Sequence, residues 1–319
     1  MGIEDIFGKK EVIYGPMASG KSLELIRRIS RYKPFQERYG FDIHCFRPVL
    51  DTRRLSEADQ TLVESSKASR LGNRLESRSG LAYGGDVHQI TEASEIYRHL
   101  TEERRSIIAI EDAQLLDGGL IEVVPDLAKQ GHYVIACMLD LSFRGESFPF
   151  SCFEKTASDF IRLFTADEKI HLSAICDECG KDAWYTHKLV LQTMEDGQQQ
   201  ALPAPYYSPL YSPLIEIGDR QYQSRCLEHF RCPMKDNALI IATYINTQSI
   251  VTETKFFKDI REILSIDLAT IQKILDTFTI EHICRIDGRT IADQHTTRIL
   301  PPGLASFGSK GGPRHNGAW

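Results

Sequence analysis

Apolar and polar positions fall into blocks whose periods predict an alternation of strands and helices. EVIYG (11–15), FDIHCF (41–46), IIAIE (107–111) and YVIACM (133–138) are short apolar runs rich in β-branched residues, and each reads as a buried strand. Helical spacing appears in SLELIRRISRY (22–32), VHQITEASEIYRHL (87–100) and GLIEVVPDLAKQ (119–130), the last expected to be interrupted or kinked at Pro125. This alternation predicts an α/β fold, a mostly parallel sheet with helices on both faces. The polar stretch from Asp51 to about Arg70 has no clear period and reads as an exposed loop.

The pattern changes near Ile175. Short strands and Cys-containing turns take over, with a Gln/Pro/Tyr-rich segment, DGQQQALPAPYYSPLYSP (196–213), from which no regular structure is expected. Residues 256–283 read as helical, with Phe256, Ile260, Ile263 and Leu264 on one face. The expected organisation is an α/β domain over 1–167, a small domain over 168–234, a helical extension over 235–299 and a disordered Gly/Pro-rich tail over 300–319.

Composition narrows the chemistry. A chain of 319 residues with 42% hydrophobic content can bury a full α/β core. The formal charge of −6 would repel a polyanion, and no basic, aromatic-interleaved stripe is evident, so no nucleic-acid partner is expected and any phosphate site must be local. No apolar run approaches the ~20 residues of a membrane span, and the N-terminus lacks a secretory signal, so a cytoplasmic location and no membrane partner are expected. Eight cysteines are too few for a disulfide scaffold.

Gly15-Pro16-Met17-Ala18-Ser19-Gly20-Lys21-Ser22 fits GxxxxGK[ST] between a strand and a helix, the context that makes this phosphate loop specific. Its amides and the helix N-terminus would face phosphate oxygens, Lys21 would neutralise charge, and Ser22 would ligate Mg²⁺. No guanine-reading NKxD element is found, which lowers the GTPase reading. Cys176 and Cys179 form a C-x₂-C pair and Cys226 and His229 a C-x₂-H pair, a ligand set suited to closed, structural Zn²⁺, with Cys232 a competing fourth ligand. Glu111 and Asp112 close an apolar strand, where α/β sites form.

These motifs, in this order, together with Asp51-Thr52-Arg53, Ser77-Arg78, LD-x-x-FRG-x-x-F from Leu139 to Phe148, and AICDECGKDAWYTHKL, resemble the type II thymidine kinase family from about residue 10 to 232. The resemblance implies a RecA-like P-loop sheet with a zinc-bearing lasso segment. It implies transfer of the γ-phosphoryl of ATP to the 5′-hydroxyl of thymidine or deoxyuridine, with Mg²⁺, structural Zn²⁺ and a homotetramer. Carried over by position, Gly15 to Ser22, Glu111, Gln114 and Arg53 would bind ATP and magnesium, while Asp112, Lys21 and Arg144 would be catalytic. Met17, Leu115, Leu139, Phe143, Phe148 and Tyr222 would surround the base, with Thr186 and Ile215 offering backbone contacts. The family order at the strand end is Asp then Glu then x-Gln-Phe, whereas this chain has Glu111, Asp112, Ala113, Gln114 and Leu115. The expected base is therefore one methylene shorter, and a weakened, nucleotide-binding regulatory relative is the alternative reading.

Overall fold

The computed structural model describes residues 2–49, 75, 77, 80–101, 103–151, 153–194, 196–210, 222–281, 283–287 and 289–293. The stretch 51–70 and the tail from 300 lie outside them. The chain divides into two compact units, Met1–Pro233 and Met234–Trp319.

The first unit begins with β1 (Lys10–Tyr14), α1 (Lys21–Ser30), α2 (Gln36–Tyr39), β2 (Asp42–Pro48), β3 (Val87–Ile90) and β4 (Ser106–Ile110). It continues through α3 (Leu120–Lys129), β5 (Tyr133–Met138), α4 (Ala157–Ile161) and β6 (Lys169–His171). The six strands form one sheet in the order β3-β2-β4-β5-β1-β6, with every pairing parallel. The sheet thus continues past Asp167, taking β6 from beyond the expected domain boundary.

Successive residues of a strand face opposite sides, and here both sides are apolar. Val12, Ile108, Ile110, Val134 and Ala136 pack on one side with Leu120, Val124 and Leu127 of α3. Ile13, Ile107, Ala109, Ile135 and Cys137 pack on the other with Leu25, Ile26 and Ile29 of α1. Each fully buried Leu or Ile contributes about 1.5–3 kcal/mol. That burial explains why Pro125 sits inside α3 without ending it. The buried Leu120, Val124 and Leu127 offset the ~3 kcal/mol an interior proline costs.

Two local expectations give way. Residues 87–100 were read as one helix but form β3 and then a 3₁₀ turn, Ala93–His99. The backbone of Val87–Ile90 finds ladder partners on Cys45–Pro48, and the Ala93 N–H donates to Asp117 Oδ1 at 2.7 Å, which fixes the turn that follows. The segment expected to lack regular structure contains a strand. β7 (Ala174–Ile175) pairs with β8 (Asp182–Ala183), and β9 (Tyr185–Thr193) is flanked by β10 (Gln199–Pro203) and β11 (Tyr222–Arg225). The Asp196-Gly197 pair makes the β9–β10 hairpin possible. Gly197 has φ +80°, and Asp196 Oδ1 accepts from Gln198 N–H at 2.9 Å.

The second unit comprises α5 (Lys235–Gln248), β12 (Ile250–Thr252), α6 (Glu253–Ile263), α7 (Leu268–Ile280), β13 (Cys284–Asp287) and β14 (Thr290–Asp293). Its strands are antiparallel in the order β12-β14-β13. Ile241, Ile245, Phe256, Ile260, Ile271, Ile274, Leu275, Phe278 and Ile291 are buried in it. The helical stretch expected over 256–283 divides into two helices, because the Asp267 carboxylate accepts from the backbone N–H and hydroxyl of Thr270 and starts α7 anew. Phe256, Ile260 and Leu264 are buried as expected, but Ile263 closes α6 and is 54% exposed. Among the described residues no helix is long and apolar enough to cross a membrane.

Candidate active site and metal cluster

The residues with phosphate chemistry gather at the carboxyl ends of β1, β4 and β5. The loop after β1 needs its glycines. Gly15 has φ +147°, and a Cβ there would lie 2.1 Å from the carbonyl oxygen of Leu172. Gly20 caps α1 with φ +85°, a left-handed conformation that glycine adopts without steric cost. Lys21 is buried, and its Nζ donates to Pro16 O at 2.5 Å and to Ser19 Oγ at 3.4 Å. The lysine is thus folded back onto its own loop.

Glu111 follows β4 directly and is buried at 5% exposure. Burial and the neighbouring Asp112 push its carboxyl up to about 7, opposed by a hydrogen bond from the Ser22 hydroxyl and by the charges of Arg47 and Lys21. Arg47 Nε approaches Glu111 Oε2 at 3.9 Å. Asp112 differs in every respect: it is half-buried, has φ +48°, and caps the 3₁₀ turn Ala113–Leu115. Ser22 and Glu111 together form a hydroxyl–carboxylate pair of the kind Mg²⁺ takes.

Gln114 Oε1 accepts from Leu139 N–H at 3.0 Å in a buried setting, holding the end of β5. Leu139, Phe148, Met17 and Leu115 belong to one apolar cluster. Phe143 is buried under the cations of Arg144 (5.6 Å) and Lys188 (5.3 Å). Tyr222 pairs with Lys188 across β11 and β9, and burial raises its phenol to about 12. Arg144, expected at phosphate, is buried with its guanidinium 4.3 Å from the Tyr206 ring and Nη2 donating to Ser208 O at 3.2 Å. The hydroxyl of Thr186 accepts the Met17 N–H at 3.0 Å. Arg53, Arg78 and Ile215 lie outside the described residues.

Sequence reasoning missed several participants. Ser224 on β11 donates its hydroxyl to Met17 O at 2.8 Å, so β9 and β11 together hold the phosphate loop at Met17. Lys188 is buried and reaches Pro209 O at 2.7 Å. Asp140 faces His171 at 3.7 Å, and its raised carboxyl reflects burial, opposed by His171 and Lys21. Asp140 and Lys188 lie inside sequence blocks already singled out, but the partner each one takes comes from a distant segment.

Cys176, Cys179, Cys226 and His229 bring their ligand atoms within 4.8 Å of one another. Cys179 Sγ and Cys226 Sγ are 3.8 Å apart, and His229 Nδ1 lies 3.3 Å from Cys226 Sγ and 3.8 Å from Cys176 Sγ. A tetrahedral ion with bonds of about 2.0–2.3 Å separates its ligands by roughly 3.4–3.8 Å, so this cluster could hold zinc. The cluster contains His229 and not Cys232.

Comparison with known proteins agrees with this geometry. The family model described as thymidine kinase matches residues 8–230. A thymidine kinase of Thermococcus kodakarensis is 34% identical over 71% of this chain and 95% of its own length. One from Mycoplasma genitalium is 30% identical over 79% of this chain and 91% of its own, and one from Mycoplasmoides gallisepticum 33% over 70% and 81%. A crystal structure of the Pif1 helicase from Candida albicans matches 52% of this chain and 36% of that one at 15% identity and a TM-score of 0.26, a likeness from which nothing follows. With the P-loop, the acidic strand end and the Cys/His cluster all inside the matched span, the chain belongs to the thymidine kinase family.

Proposed function

We propose that the chain transfers the γ-phosphoryl group of ATP to the 5′-hydroxyl of thymidine, or deoxyuridine, in the reuse of pyrimidine deoxynucleosides. The observation that carries the reading is the pair of acids at the end of β4: a buried Glu111 tied to Ser22, and beside it a half-buried Asp112 in a left-handed backbone conformation. Lys21 and the loop amides would hold the β- and γ-phosphates, Lys21 leaving Pro16 O for a stronger, charge-assisted partner. Mg²⁺, held by Ser22 and Glu111, would neutralise charge on the β- and γ-oxygens. Asp112 would take the proton as the 5′-oxygen bonds to the γ-phosphorus and the bond to the β-bridging oxygen breaks, releasing ADP. Met17, Leu115, Leu139 and Phe148 would face the base, with Phe143 and Tyr222 approaching from the lasso side. Arg144 would act by anchoring the lasso at Ser208 O, and Zn²⁺ on the Cys/His cluster would hold the lasso's base.

Phosphorylation of labelled thymidine by the purified protein tests the reading, together with the same assay on deoxyuridine and deoxycytidine. Turnover that Lys21→Ala abolishes supports it; absence of transfer to every pyrimidine deoxynucleoside sinks it. The second reading, a weakened nucleotide-binding relative, draws on the shorter Asp112. Thymidine and ATP binding by calorimetry without turnover, restored by Asp112→Glu, would favour it. The tetramer implied by the resemblance is checked by light scattering.

A further inference from the structure

The second unit lies beyond the 8–230 span of the family match, and the kinase reading gives it no task. Its elements run helix, strand, helix, helix, strand, strand, with β14 between β12 and β13 in an antiparallel sheet. Residues 264–267 separate α6 from α7, the turn length of a helix-turn-helix, and α7 packs on both α6 and β13. The antiparallel β13–β14 hairpin that follows stands where the wing of a winged helix-turn-helix would stand.

In such an arrangement the second helix of the pair enters the major groove and reads bases through its first turns. α7 buries Ile271, Ile274, Leu275 and Phe278 and exposes Ala269, Gln272 and Lys273 in those turns. A methyl, an amide and an ammonium are groups that meet thymine, adenine and guanine edges, and the Gln272 amide, which donates to Asp276 Oδ1 at 2.7 Å, would exchange that partner for a base. The carboxylate of Asp267, at the start of the helix, is occupied by Thr270. Lys255 on α6, Arg285 on β13 and Arg289 beside the wing are exposed.

The acidic excess lies in the first unit, where residues 1–233 hold 28 Lys and Arg against 35 Asp and Glu. Residues 234–319 hold ten Lys and Arg against nine Asp and Glu, and beyond β14 residues 294–319 hold Arg298, Lys310 and Arg314 with no acid. We infer that the second unit is a winged helix-turn-helix that binds duplex DNA, with α7 in the major groove and Arg289 of the wing on the phosphate backbone. A second copy of the chain fits α7 less well, because Gln272, Lys273 and Asp276 separate its exposed Leu268 and Ile280.

Fluorescence anisotropy of a labelled, mixed-sequence DNA duplex with the full-length protein, titrated at several salt concentrations, tests this. The expected result is saturable binding that weakens as salt rises. The double variant Lys273→Glu/Arg289→Glu weakens it about tenfold or more, and Asp276→Asn, which removes the acid from the exposed face, tightens it. Both variants keep the parent melting temperature and thymidine turnover, since all three positions are exposed. No binding at the lowest salt, or an affinity indifferent to these variants, overturns the inference. So does self-association without DNA binding that Leu268→Asp abolishes, which would assign the face to a second copy.

Discussion

Glu111 and Asp112 are neighbours in the chain but not in environment. Burial raises Glu111 to about 7, so its charged form costs stability above the ordinary carboxylate range and protonation relieves that cost as pH falls below 7. Magnesium binding has the opposite sign, since it needs the carboxylate. The Mg²⁺ concentration for half-maximal turnover should therefore rise as pH drops from about 8 to about 6, approaching about tenfold per unit below 7. A flat requirement across that range would contradict the assignment of Glu111. For Lys21→Ala a fall in kcat/KM of about 10²-fold or more is expected in steady-state assays, as for loss of a preorganised cationic donor. Gly15→Ala should abolish soluble expression or nucleotide binding, because the new methyl would meet Leu172 O at 2.1 Å; a fully active variant would show that the loop relaxes.

At the level of elements, the β9–β11 pair links the Cys/His cluster to the phosphate loop. Thr186 and Ser224 face each other across these strands and bond Met17 N–H and C=O, while Cys226 follows β11 directly. Removing zinc by chelation, or by Cys179→Ser, should loosen the pair and raise KM for ATP more than it lowers kcat. Ser224→Ala should cost about 0.5–1.5 kcal/mol in denaturant unfolding and shift the same KM. If chelation leaves both KM and kcat unchanged, the coupling is absent. The Cys/His spacing was legible in sequence, and so was the phosphate loop. The clamp was not, because Thr186 and Ser224 are 38 positions apart and only the pairing of β9 with β11 brings their hydroxyls together on Met17.

For the whole molecule, two units with separate cores predict separable unfolding. Ile274→Ala, at a fully buried position of α7, should destabilise the second unit by about 2–5 kcal/mol. Calorimetry should show that transition move while thymidine turnover persists. A single transition moving as one would show the units to be cooperative. Alternating strands and helices, the phosphate loop, the acidic strand end and the zinc ligands were set by local pattern alone, since each is a matter of period or spacing within a few residues. Other decisions needed partners remote in sequence. Residues 87–90 became a strand because β2 offered a ladder, and the buried guanidinium of Arg144 found Ser208 O, 64 positions away. A backbone or a buried cation must find its hydrogen-bond partners wherever the fold brings them, and those partners come from segments that no local window contains.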